Sequence, residues 1–206
     1  MGTFKTPLVA FALLLTCGIA ARTAQADPVT FNTTGSFSAG GGTNTASFSN
    51  ANGTTTLTFN GTTNAVFTAA GVSFGDILAT STVPLGASGP ALTGTFTLNI
   101  NQTLPTGGSG SLVGTLSGTL GSNTGIATLS FAQTSLTING FTYTVNPTYT
   151  LALPVTGAGG SAGTGTTTIQ GTVTGSAVPE PTTMLLLGTG LTGVAGAARR
   201  RRRARQ

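Results

Sequence analysis

The chain has 206 residues, eight of them Lys or Arg, three Asp or Glu and none His, for a formal net charge of +5. Lys5 and Arg22 lie near the N-terminus, and the other basic residues are Arg199, Arg200, Arg201, Arg202, Arg203 and Arg205, so the basic balance belongs to the ends and the body between them offers nucleic acid no basic face. The single Cys17 excludes an intramolecular disulfide, and 32 Gly with 9 Pro stay under the roughly 25–30% that marks low-complexity disorder.

Residues 1–26 have the three parts of a secretory signal. Lys5 supplies the positive start, residues 8–19 a short apolar run, and Ala24-Gln25-Ala26 a small-x-small cleavage site in which Ala24 and Ala26 are the reading positions. A retained membrane helix is the bland alternative. Leu14-Leu15-Thr16-Cys17 raises a lipoprotein box, which the bulk of Thr16 and the downstream Ala-x-Ala disfavour.

Residues 27–175 are expected to form one Thr/Gly-rich β-domain, since a span of this length buries about 70% of its unfolded surface without disulfides. The apolar period is 2. Leu92, Gly94, Phe96, Leu98 and Ile100 alternate with Thr93, Thr95, Thr97 and Asn99, and Leu112, Gly114, Leu116, Gly118 and Leu120 repeat the pattern. Shorter runs surround Leu57-Thr58-Phe59, Val66-Phe67, residues 129–131, 141–145, 151–153 and 169–173. Such strands have one apolar and one wet face, and β-branched, polar threonine suits the wet one. Asn139-Gly140 is a strong two-residue hairpin signal, with Asn52-Gly53 and Asn60-Gly61 weaker ones. About ten short strands are implied, in an all-β antiparallel sandwich or jelly-roll-like body with no helix of its own; a β-helix is the alternative for the Gly/Thr-rich stretches. Residues 156–166 read as a loop and 175–178 as a short linker.

The last 31 residues have three ordered parts. Val178-Pro179-Glu180-Pro181 is stiff, each proline fixing φ and offering no N–H. Thr182 and Thr183 can cap a helix, and 182–198 as a helix spans about 25 Å, slightly short of the ~30 Å hydrocarbon core. The arginines Arg199, Arg200, Arg201, Arg202 and Arg203 then stop transfer and stay cytoplasmic by the positive-inside rule. The sequence thus predicts a signal helix and a transmembrane helix flanking the β-body, which lies on the far side of the membrane.

Val178-Pro179-Glu180-Pro181, Met184-Leu185-Leu186-Leu187-Gly188, Gly190-Leu191 and the arginine cluster closely resemble the PEP-CTERM sorting signal of Gram-negative bacteria. The resemblance covers the C-terminal tag alone. It implies recognition by exosortase, a membrane-embedded cysteine transpeptidase-like enzyme, and cleavage near Pro179, Glu180 and Pro181, which are a substrate's recognition residues and not catalytic ones. It further implies the general secretion machinery and, transiently, the inner membrane as partners, then release to the outer surface or beyond, with a link to exopolysaccharide and biofilm.

Rival motifs carry less. Leu153-Pro154-Val155-Thr156-Gly157 reads as a sortase LPxTG, yet some 25 residues part it from the apolar span, and a strand end followed by a loop is the plainer reading. Gly188-Thr189-Gly190-Leu191-Thr192-Gly193 matches GxGxxG, but it follows Pro-Glu-Pro inside an apolar span and opens no βαβ unit. The sequons at Asn32, Asn52, Asn60 and Asn101 are expected by chance in a Thr-rich chain.

No catalytic residue is expected. The body has no His, Cys, Lys or Arg, so its serines lack a base and Asp76 lacks a carboxylate partner. No metal or cofactor is expected either, because Asp76 reads as a turn or strand-entry residue and zinc has no ligands. Tyr143 and Tyr149 share parity with apolar neighbours and read as core, not as sugar platforms. The expected function is that of a structural or matrix-associated surface protein handled by exosortase. A surface adhesin or glycan-binding module, its Thr/Asn face touching polysaccharide or ice, is one alternative, and a permanently anchored envelope protein is another.

Overall fold

Alternation of hydroxyl-bearing and apolar residues folds the body into antiparallel strands. The structure, a computed structural model, describes residues 28–67, 71–155 and 163–175, together with 188–190 and 193. Among the described residues twelve strands form: β1 Val29–Phe37, β2 Thr45–Asn50, β3 Gly53–Asn60, β4 Ala65–Phe67, β5 Val72–Ser81, β6 Gly94–Leu104, β7 Gly108–Gly118, β8 Ala127–Phe131, β9 Ser135–Ile138, β10 Phe141–Val145, β11 Thr148–Thr150 and β12 Gly163–Gly175. One 3-10 turn, Ser38–Gly40, follows β1.

The strands make two curled six-stranded sheets, ordered β11-β8-β7-β6-β1-β4 and β2-β3-β5-β12-β10-β9, called here the first and second sheet. Each pairing is antiparallel. Their inner faces share one core, as in a β-sandwich. Phe31 of β1 meets Phe74 of β5 at 5.6 Å and Tyr143 of β10 edge-on at 5.6 Å. Phe96 of β6 packs between Phe37 and Phe59, its ring tilted to both. Each such buried side chain is worth about 1.5–3 kcal/mol, which is how the body coheres without a disulfide. Polar bonds also cross between the layers: Thr33 of β1 donates to the Phe74 carbonyl of β5 at 2.6 Å, and the buried Thr55 hydroxyl of β3 donates to the Leu120 carbonyl in the loop after β7 at 2.6 Å.

The Asn139-Gly140 turn forms as the sequence predicts, with φ of 48° and 84° joining Ile138 to Phe141. Other expectations need correction. The β2–β3 turn is Ala51-Asn52, because the Asn50 carboxamide accepts from the Asn52 and Gly53 amides (2.9 and 3.2 Å) and sets the register one residue early. Asn60-Gly61 makes no hairpin; there the chain leaves the second sheet for β4 in the first. The strand expected at 151–153 is instead β11, and residues 163–166, expected in a loop, open β12. Its 13 residues lie centrally between β5 and β10.

The chain enters and leaves the sandwich at one end. Thr30 pairs with Leu104, the Asn139 amide donates to the Thr106 and Gly107 carbonyls at 3.2 and 2.9 Å, and Phe141 pairs with Gly175. At the other end the loops around Pro90, Leu120 and Pro154 are stitched together by Leu120 N–H to Pro90 O and Asn123 N–H to Pro154 O.

Among the described residues no helix is long and apolar enough to cross a membrane. Of the expected flanking helices, 1–26 lies outside the described residues. So does 182–198, apart from residues 188–190 and 193, which are helical. The structure thus gives those two helices no support.

Candidate functional site

The expected sorting residues Pro179, Glu180 and Pro181, the arginines Arg199, Arg200, Arg201, Arg202 and Arg203, and the cleavage positions Ala24 and Ala26 all lie outside the described residues. What the structure places is the strand that leads to the tag. Central β12 ends at Gly175, held by Phe141 across the ladder.

The remaining candidates are on the body's surface. Asp76 sits within β5, not at a turn, on the outer face beside a bulge where Gly75 has φ 125°. It faces Asn60 on one side and Thr168 on the other, and the Thr168 hydroxyl donates to its carboxylate at 2.6 Å. Among the described residues no three His, Cys, Asp or Glu side chains gather as a metal site would require. Both tyrosines are core residues, with Tyr143 fully buried and Tyr149 7% exposed. Burial pushes the Tyr143 phenol up to about 12, while its hydroxyl donates to Gln102 at 2.8 Å. Burial also raises Tyr149, an effect opposed by its bonds to Asn146 and Gln170.

The outer faces are carpets of Thr, Ser and Asn. On the second sheet some of these side chains bond one another across β2–β3 and β9–β10: Ser47 with Thr56 at 3.0 Å, Ser49 with Thr54 at 2.9 Å, Thr137 with Thr142 at 3.1 Å. The first sheet does the same between Ser117 and Thr128 at 3.0 Å.

Elsewhere on that sheet the carpet opens into a groove of about 600 Å³ over β1, β6 and β7. Two ladder rungs line it, Asn32–Asn101–Ser109 and Thr34–Asn99–Ser111. The Asn32 carboxamide oxygen accepts from the Asn64 amide at 2.6 Å. The side chains of Thr34, Asn99, Asn101, Ser109 and Ser111 make no hydrogen bond among the described residues. A second, smaller hollow of about 320 Å³ lies by Ser73, Asn146 and Gln170. Neither groove nor hollow was foreseen as a site. The alternation predicted a wet face, but which strands lie side by side on it is set by sheet order.

With this geometry in place, the C-terminal segment can be assigned. Residues 177–203 match the family model described as the PEP-CTERM protein-sorting motif. The chain carries a PEP-CTERM sorting signal. The match takes in Pro179, Glu180 and Pro181 at one end and Arg199 to Arg203 at the other. A PEP-CTERM signal marks a protein for export, transient anchoring in the membrane and processing by exosortase. No curated protein and no solved structure matches the chain.

Proposed function

We propose that this PEP-CTERM protein is a structural component of the extracellular matrix or biofilm of a Gram-negative bacterium, and that its β-body works as a surface and not as a catalyst. One observation carries the reading. A sorting signal at residues 177–203 follows in sequence on a sandwich whose exposed strand positions are mostly hydroxyls and amides. In the body Asp76 is the single carboxylate within the strands, and its described polar partner is the Thr168 hydroxyl, with no His, Cys, Lys or Arg in the body to activate a nucleophile beside it. Chemistry on a substrate has little to work with there. A hydroxyl-covered, disulfide-free scaffold instead suits a role in which many copies present the same hydrated surface.

The test is to compare a strain lacking exosortase with its parent. The reading expects the body to move from the matrix fraction to the membrane fraction, with the tag still attached. Unchanged release of the body into the matrix in the mutant would sink it.

A further inference from the structure

We propose that the groove over β1, β6 and β7 is a binding site for a neutral polysaccharide chain, with Asn99 and Asn101 as its principal contacts. The proposal rests on the matrix reading above and gives it a ligand and a place. Three observations carry it.

The first is unspent hydrogen-bonding capacity. Some outer-face hydroxyls bond each other, as Ser47 does with Thr56 and Ser117 with Thr128, and others, such as Thr95 and Thr115, do not; in the groove the unbonded side chains include carboxamides and line a hollow. In the groove, two amides and three hydroxyls, from Asn99, Asn101, Thr34, Ser109 and Ser111, have no such partner among the described residues. Each carboxamide presents an acceptor oxygen beside a two-proton donor in one plane, which matches the adjacent hydroxyls of a pyranose ring. The strand backbones beneath are already paired through Asn99–Ser111, Asn101–Ser109 and Asn32–Asn101, so an occupant must be held by these side chains.

The second is charge. Nothing lining the groove is ionisable, and the body's lone strand carboxylate, Asp76, belongs to β5 in the other sheet. A uronate, phosphate or nucleic acid would find no countercharge here. A neutral polyhydroxylated chain forfeits nothing.

The third is size. About 600 Å³ falls within the usual range for ligand sites. Each rung crosses three strands, roughly 10 Å at the ~4.8 Å strand spacing, room for a short stretch of linked sugars with the chain continuing past either side. Without an aromatic platform, contacts are hydrogen bonds exchanged against water, so each site binds weakly and a surface of many copies binds by avidity.

Affinity electrophoresis tests this with the full chain in a zwitterionic, sugar-free detergent. Gels contain hydroxyethylcellulose, dextran or galactomannan, with alginate as the anionic comparison. The expected result is retardation by at least one neutral polymer and none by alginate. N99A/N101A should weaken it by roughly tenfold, as the loss of a few net hydrogen bonds implies, whereas T56A on the other sheet leaves it unchanged. In the unsubstituted chain, the Asn99 and Asn101 side-chain amide resonances should shift on adding a neutral oligomer of the retarding polymer. Four results would overturn the proposal: no retardation in any neutral gel, retardation by alginate alone, equal behaviour of N99A/N101A and T56A, or amide resonances that stay put. None of these touches exosortase-dependent release, which is read separately in the mutant strain.

Discussion

The bond between Tyr143 and Gln102 joins the two sheets through the core, and removing one partner tests the packing more sharply than any surface change. Tyr143 of β10 donates to the Gln102 carboxamide oxygen of β6 at 2.8 Å, and the Gln102 amide donates to Thr106 at 2.8 Å. Gln102 is 1% exposed. In Tyr143→Phe the ring stays, with its edge-on contact to Phe31, and only the donor is lost. The stranded Gln102 oxygen then costs about 1–3 kcal/mol, or roughly 2–10 °C in melting temperature for a body of this size. Gln102→Leu alone strands the phenol and costs a similar amount. Together the two changes replace a polar pair by an apolar one, so the double variant should lose less than the sum, with a coupling of about 0.5–3 kcal/mol. Urea unfolding followed by circular dichroism reads all four species. Additive losses would refute the reasoning, because they would mean that the two groups do not depend on each other.

The same phenol predicts an alkaline weakness. Its pKa is raised from 10.0 to about 12 by burial, so above pH 10 the folded state holds a proton that the unfolded state releases. Stability is then full below pH 10 and falls by roughly 2–3 kcal/mol as pH climbs toward 12. Urea midpoints across that range should drop, less so in Tyr143→Phe; flat midpoints would contradict the burial argument. Thr33→Val leaves the Phe74 carbonyl and Thr62 amide without their 2.6 and 2.8 Å partners and should cost about 1–3 kcal/mol, checked by the same unfolding assay. Gly140→Ala puts a side chain at φ 84° and should cost about 1–2 kcal/mol, whereas Ser47→Ala, an exposed strand position, should cost under half of that. Ile169→Ala hollows the middle of β12, where Ile169 is wholly buried, and should cost about 2–5 kcal/mol, seen as faster proteolysis of the body.

The alternation made the fold class readable. Phe96, Leu98 and Ile100 all face inward, as do Leu112 and Leu116, and Tyr143 and Tyr149 join them in the core. The strands that went unforeseen explain why alternation was not enough. In β5 the Gly75 bulge breaks the period, so Phe74 and Ile77 face the same core three positions apart. β1 carries the buried Gly35 and β2 the small buried Ala46 where a stronger pattern would carry larger apolar residues. The Ala51-Asn52 turn was masked because a side chain, that of Asn50, and not a left-handed backbone, closes it. The tag was legible for the opposite reason. Its parts are contiguous in sequence, so Pro-Glu-Pro, apolar run and arginines could be read without a fold. The groove joins Asn32, Asn99 and Ser109 from three strands, and only sheet order brings those together.

The sorting signal is the centre of the account, and the mass of the mature chain tests it most directly. Intact-mass measurement of the protein recovered from the cell surface or matrix should give a species that ends near Pro181, its apolar run and arginines gone. A mature species that still carries Arg199 through Arg203 would contradict exosortase processing and leave a permanently anchored protein in its place.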